Sequence, residues 1–137
     1  NRTIQAKGND GEDAVNGPTG AGGGGGGGVV LLDIGTIVVN PLETNLQLIV
    51  EANGGSGGNC NGGTDIVGPG GGGGGGVVWF RSASRPANVS VLVSGGANGL
   101  DDSNGTPSAH SATSGEAGIE KFNLDFPIYY DENENPI

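Results

Sequence analysis

Gly70-Gly71-Gly72-Gly73-Gly74-Gly75-Gly76-Val77-Val78-Trp79-Phe80 is the stretch whose reading decides the fold. Seven glycines run directly into four apolar residues. The same arrangement stands earlier in the chain, where Gly22 to Gly28 lead into Val29-Val30-Leu31-Leu32. Upstream, Gly17-Pro18-Thr19-Gly20 answers Gly68-Pro69-Gly70. A flexible linker needs neither a fixed length nor a fixed register of entry into the next strand. Two runs that share both properties point to a repeat.

A second element recurs three times: Ile4-Gln5-Ala6-Lys7-Gly8, Val50-Glu51-Ala52-Asn53-Gly54 and Val91-Leu92-Val93-Ser94-Gly95. Each is a strand ending that enters a Gly/Asn/Ser-rich stretch. The repeating unit is therefore strand, Gly/Asn loop, Gly run, strand, turn, strand. It defines one glycine-rich domain over 1–126, with units of roughly 1–48, 49–89 and 90–126 and an acidic tail over 127–137. The chain begins inside its first unit and reads as processed or cut from something longer. In the third unit Ser111 to Gly118 replaces the Gly run, as terminal repeats are commonly atypical.

Hydrophobic alternation places the strands. Leu46, Leu48, Val50 and Ala52 alternate with Gln47 and Glu51, and Val89, Val91 and Val93 alternate with Ser90. Val29 to Val39 is almost wholly apolar and β-branched, and Ile119, Phe122, Leu124 and Phe126 suit a last strand ended by Pro127. Asn40-Pro41-Leu42-Glu43 and Arg85-Pro86-Ala87 read as turns between paired strands. The expected fold is all-β: short antiparallel strands combined with polyproline II-type Gly runs in about 2.5 tandem repeats, with no significant helix.

Ordering seven glycines costs more backbone entropy than ordering any other residue. A polyproline II helix offers compensation. It has three residues per turn, rises about 3.1 Å per residue and makes no internal hydrogen bonds, so seven residues span about 22 Å. Bare of side chains, such helices can lie side by side and exchange N–H and C=O bonds. Burying one demands neighbours. The Gly runs are therefore expected to pack on each other and on Gly-rich stretches of other copies. Gly22, Gly25, Gly28, Gly70, Gly73 and Gly76 are the candidate assembly positions, with Trp79, Phe80, Tyr129 and Tyr130 as apolar contacts.

Composition narrows the function. Of 137 residues, 33% are apolar and only 15% charged, so intrinsic stability from a core is small. The formal net charge is −10, with five Lys and Arg, which disfavours nucleic acid and anionic membrane surfaces. No apolar stretch approaches the roughly 20 residues of a membrane-spanning helix. Cys60 is the single cysteine, so no intrachain disulfide can form. Asn1, Asn88 and Asn104 head N-x-S/T sequons.

Little in the sequence suggests catalysis. His110 is the only histidine and lies in a Ser/Ala-rich loop, with no second His or Cys pair to complete a zinc site. No nucleophile-elbow motif is present. The Gly runs lack the closing Gly-Lys-Ser/Thr of a phosphate loop and lead into strands, so no helix N-terminus faces a phosphate. Acidic loops provide hard oxygen ligands, which makes Asp10, Asp13, Asp101 and Asp102 weak candidates for structural calcium, although none matches a full calcium-loop spacing. No other cofactor is expected.

Ala52-Asn53-Gly54-Gly55-Ser56-Gly57-Gly58-Asn59, continuing through Gly68-Pro69-Gly70 and the Gly run, resembles the glycine-rich repeats of large exported surface proteins of Bacteroidota associated with type IX secretion. The likeness covers roughly residues 4–126. A weaker likeness is to polyglycine II-bundle proteins, including certain antifreeze proteins and phage tail adhesins. The resemblance implies an exported surface, matrix or filament role and supplies no catalytic residues. The expected function is an extracellular structural protein that assembles with copies of itself, as a filament or a surface-layer or adhesive subunit, and not an enzyme. The alternative is a binding module, a carbohydrate adhesin on a surface glycan or an ice binder. An ice binder calls for a flat Thr array, and only Thr3, Thr36 and Thr44 lie near strands in the first half.

Overall fold

Every third backbone amide in the glycine-rich stretches donates to the same neighbour. Gly8, Gly11 and Ala14 donate to the carbonyls of Asn53, Ser56 and Asn59 at 2.7–2.9 Å, and Gly54, Gly57 and Cys60 donate in turn to Ser94, Ala97 and Leu100 at 2.8–2.9 Å. A step of three is the polyproline II period. In the computed structural model, which describes residues 1–15, 19–34, 46–61 and 65–125, these segments are ordered threefold helices packed side by side.

Each helix is collinear with a short strand. The strands are β1 (Arg2–Gln5), β2 (Val29–Leu32), β3 (Leu48–Glu51), β4 (Val77–Phe80), β5 (Val89–Leu92) and β6 (Ile119–Lys121). Strand plus helix makes a rod: rod 1 over 2–14, rod 2 over 20–32, rod 3 over 48–60, rod 4 over 68–80, rod 5 over 89–101 and rod 6 over 113–121. Odd rods enter through the strand and leave through the helix, and even rods do the reverse. All strands therefore gather at one end and all threefold helices at the other.

Rods 1, 3 and 5 form one layer and rods 2, 4 and 6 the second. The sheets are β1-β3-β5 and β2-β4-β6, and every pair is parallel, with Arg2 opposite Leu48, Leu48 opposite Val89, Val29 opposite Val77 and Val77 opposite Ile119. This corrects the expected antiparallel pairing. The chain does reverse direction between consecutive strands, but each reversal carries it into the other layer, so the rods that pair run the same way. Arg85-Pro86-Ala87 accordingly joins β4 to β5, which lie in different sheets, while Asn40-Pro41-Leu42-Glu43 lies outside the described residues. The described residues contain no helix of the α type, and Ser111 to Gly118 takes the Gly-run position, accepting from Gly72 and Gly75 through Thr113 and Glu116.

Antiparallel bonds tie the layers together. Gly22, Gly25 and Gly28 donate to Glu12, Asn9 and Ala6, and Gly70, Gly73 and Gly76 donate to Gly58, Gly55 and Ala52, all at 2.6–2.9 Å. At the strand end the two sheets enclose Val30, Leu32, Val50, Ala52, Val78, Phe80 and Val89, with the Phe80 ring stacked on Phe122 at 5.8 Å. Such approach leaves no room for side chains between helices. A Cβ on Gly55 would fall on the Asn9 carbonyl, and one on Gly73 on the Gly25 carbonyl. On the outer face of the second layer the space is open: a Cβ on Gly71 would stand 3.5 Å from the Thr113 oxygen, and one on Gly74 3.8 Å from that of Glu116.

The glycines thus divide into two classes that unfolding experiments should separate. Gly55→Ala and Gly73→Ala place a methyl group into backbone that cannot yield, and each should cost at least about 3 kcal/mol. Gly71→Ala and Gly74→Ala should leave stability unchanged or raise it by about 0.4–1 kcal/mol, by restricting the unfolded chain. Urea midpoints of the four variants read the difference directly.

Candidate functional site

The exposed surface of the first layer is a ladder of polar caps. In the threefold helices of rods 1, 3 and 5 one residue in three points outward, and its N–H has no backbone acceptor. On rods 3 and 5, side chains of the preceding rod fill that role at Ser56, Asn59, Ser94 and Leu100. Asp10 Oδ1 accepts from the Ser56 N–H at 2.7 Å and Asp13 Oδ1 from the Asn59 N–H at 2.6 Å. Asn53 Oδ1 accepts from Ser94 at 2.8 Å and Asn59 Oδ1 from Leu100 at 2.9 Å. Asp10 and Asp13, considered above as calcium ligands, thus serve as backbone acceptors. Among the described residues no group of three or more His, Cys, Asp or Glu could hold a metal ion. A sequence signal for this ladder exists in Asn53-Gly54-Gly55-Ser56-Gly57-Gly58-Asn59, where the non-glycine residues recur every third position.

Asp101 lies at the helical end of rod 5 and is 1% exposed. Its backbone bridges to Cys60 and to Ser108, which folds residues 102–112 against the end of the rod. Ser103 Oγ lies 2.6 Å from Oδ1, and the Ser103 N–H donates to the same oxygen at 3.0 Å. Oδ2 accepts from the Val67 N–H at 3.2 Å and faces His110 Nε2 at 3.1 Å. The Ser103 hydroxyl and N–H hold the Asp101 carboxyl below its ordinary value; burial opposes them, while Val67 and His110 assist. Both Ser103 and His110 bond to the carboxylate, so the hydroxyl does not meet the imidazole in the order that a Ser-His-Asp triad requires. Asp102 is exposed, and its carbonyl accepts from Gly105. The hollow beside it, lined by Asn59, Asn61, Leu100 and Pro107, encloses 190 Å³, below the roughly 300 Å³ at which small-molecule pockets begin.

The six glycines named as assembly positions are all bonded within the chain, between the layers described above. Phe80 is fully buried in the core, whereas Trp79 faces outward from β4, half-buried, with Nε1 donating to the Phe122 carbonyl at 3.0 Å and Lys121 Nζ 5.3 Å from the ring centre. Tyr129 and Tyr130 lie outside the described residues. The buried Cys60 thiol points at the Gly68 carbonyl, 3.3 Å away.

The lateral edges carry features that residue-by-residue reading missed. On the rod 1 and rod 2 edge, the carbonyls of Lys7, Asp10, Gly23 and Gly26 have no partner among the described residues, although they are the equivalents of Asn53, Ser56, Gly71 and Gly74, which accept inside the bundle. On the rod 5 and rod 6 edge, the N–H groups of Gly95, Ser114 and Ala117 likewise have no partner, although their equivalents Gly54, Gly72 and Gly75 donate. One edge therefore presents acceptors and the opposite edge donors, with one shared three-residue step.

Comparison with protein-family models, curated proteins and solved structures gives no match for this chain.

Two measurements check these assignments. Asp13→Ala should lose a buttressing acceptor and lower unfolding stability by about 0.5–1.5 kcal/mol, whereas Asp13→Asn, which keeps a side-chain oxygen, should lose less. Because folding lowers the Asp101 pKa, its contribution is complete above the ordinary value of 3.8 and vanishes as pH falls through the lower folded value. The stability gap between the wild-type chain and Asp101→Asn should therefore be open near neutral pH and close below that range, as read from urea midpoints across an acid titration.

Proposed function

We propose that this chain is an exported, non-enzymatic structural protein that assembles edge to edge with further copies of itself. The complementary edges carry this reading. Inside the bundle, rod 1 donates to rod 3 and rod 3 to rod 5 in an unchanging step, and rods 2, 4 and 6 follow suit. Continuing that step by one rod brings the Gly95 N–H to the Lys7 carbonyl of a second copy. It also brings Ser114 to Gly23 and Ala117 to Gly26. The contact joins two different surfaces and advances by a one-rod translation that does not turn back on itself, so it repeats as an open filament. β1, exposed along its whole length, offers the strand portion of the same edge.

The solvent-facing chemistry agrees with a load-bearing rather than a catalytic role. The polar groups with well-defined partners cap backbone, as Asp10, Asp13, Asn53 and Asn59 do, or secure loops, as Arg85 does in gripping Glu120 at 2.6 and 2.8 Å. Secretion fits the resemblance of the repeats to those of exported surface proteins.

Negative-stain images of concentrated protein should show filaments with rods lying across the long axis, and diffraction from aligned material a spacing of about 4.8 Å along it. Ala117→Pro removes one donor N–H while keeping a φ that the threefold helix accepts. It should leave the melting temperature nearly unchanged and abolish the filaments. Discrete particles at all concentrations for the unmodified chain would overturn the reading.

A further inference from the structure

The outer face of the second layer is built like its inner face. Inside, glycines line the helical half, while Val30, Leu32, Val78 and Phe80 fill the strand half and pack against the first layer. Outside, the helical half shows Gly20, Gly23 and Gly26 beside Gly68, Gly71 and Gly74, all exposed, with Thr113 and Glu116 of rod 6 at one margin. The strand half presents the aligned row Val29, Val77 and Ile119 and, behind it, Leu31 and Trp79. Val29 is 63% exposed, Leu31 50% and Ile119 48%. Charge enters this face at its margins, through Glu116 and Lys121 on rod 6 and through the exposed Asp33–Arg81 pair one alternation beyond Leu31 and Trp79.

The fold itself does not demand those glycines. A Cβ on Gly23, Gly26 or Gly74 would find its nearest neighbour at 3.8 Å, and one on Gly68 would meet nothing within 4 Å. Their N–H groups also lack the side-chain caps of the first layer. Gly23, Gly26, Gly71 and Gly74 have no N–H acceptor among the described residues, and the carbonyls of Gly24, Gly27, Gly72 and Gly75 have no donor. The outer face of the first layer is different throughout: Lys7, Asp10, Asp13, Asn53, Ser56 and Asn59 cover its helical half. Its strand half aligns Thr3 with Ile49 and Ser90, and Gln5 with Glu51 and Leu92.

We infer that this face binds the same face of a second copy, about a two-fold axis parallel to the rods. That axis sets rod 4 on rod 4, bare glycine on bare glycine and apolar half on apolar half, the combination that already joins the two layers within the chain, with Thr113 and Glu116 of each rod 6 at the rim beside rod 2 of the other copy. Free donors and free acceptors lie on the same surface, so the face is complementary to itself. A partner with side chains opposite rod 4 could not approach its glycines closely enough to bond their amides. Rods 2 and 4, of 13 residues each, make the face about 40 Å long, and with the shorter rod 6 it is about 15 Å wide. Two copies would bury about 1,100 Å² in total, just above the roughly 1,000 Å² that a specific interface should clear. The inference deepens the self-assembly proposed above by adding a lateral contact, which pairs filaments or subunits back to back.

Sedimentation in the Ala117→Pro background isolates this contact, because edge addition is blocked there. At about 100 μM, far above a Kd of about 1 μM, that variant should sediment at twice the chain mass. Adding Gly26→Glu and Gly74→Glu, at positions where a side chain fits the folded chain, should weaken pairing at least 100-fold and leave the melting temperature nearly unchanged. Ser94→Glu on the opposite face should not affect pairing. A monomeric Ala117→Pro chain would overturn the inference, as would a dimer that survives both glutamates or one that Ser94→Glu dissociates. So would an Ala117→Pro monomer that binds phosphatidylcholine vesicles with a blue shift of Trp79 fluorescence, which would assign the face to a bilayer. Dimers of Ala117→Pro without filaments of the unmodified chain would reject edge assembly and retain the face contact; filaments without dimers would do the reverse.

Discussion

Backbone amides that can find partners only in other backbones govern this molecule. A threefold glycine helix bonds nothing within itself, so each rod depends on its neighbours for every N–H it buries. The distance at which those bonds form, 2.6–2.9 Å between layers, is also the distance at which a methyl group no longer fits. Glycine content, layer spacing and the demand for neighbours are therefore one constraint. In rod 3, with neighbours on both sides and across, two residues in three are glycine from Gly54 to Gly58 and only the third carries a side chain, until Cys60 closes the rod.

Such a lattice gains hydrogen bonds but almost no apolar burial, and ordering glycine is entropically the most expensive choice. The strands supply what the helices lack. Four residues per rod are enough to place Val30, Val50, Val78 and Phe80 in one core, and the collinear geometry transmits that anchor along each rod. Parallel sheets normally need helical crossovers to return the chain. Here the return stroke is a rod of the opposite layer, which is why two parallel sheets arise from a chain that reverses at every turn.

Much of this was legible in the sequence. Alternation at Leu48 and Val50 and at Val89 and Val91 placed the strands, and the matched length and register of the two Gly runs marked them as ordered. Strand direction was not legible, because a turn-like segment such as Arg85-Pro86-Ala87 looks the same whether it joins neighbours in one sheet or crosses between layers. The phase of the helices was hidden for another reason. Within seven identical glycines nothing distinguishes Gly73, pressed on a carbonyl, from Gly74, open to solvent. Only the mixed stretches carry that phase, as Asn53, Ser56 and Asn59 do by recurring every third residue. The Asp101 cluster depends on contacts from Val67 to His110 that no local pattern encodes.

The two outer faces meet the same physical problem in opposite ways. Outward amides of a threefold helix need acceptors, and the first layer supplies them from within, through carboxylate and amide side chains reaching across from the neighbouring rod. Those side chains also roughen and charge the surface, which suits contact with water. The second layer keeps its outward amides bare and continues the bare strip into Val29, Leu31 and Trp79. A surface that is flat, uncharged over its centre and bare of side chains leaves its amides to water unless something equally bare covers it. The asymmetry between the faces thus follows from the third position of each turn: where it carries Asp or Asn the outward amides of the neighbouring rod are capped, and where it is glycine they stay bare, which is the feature the proposed pairing uses.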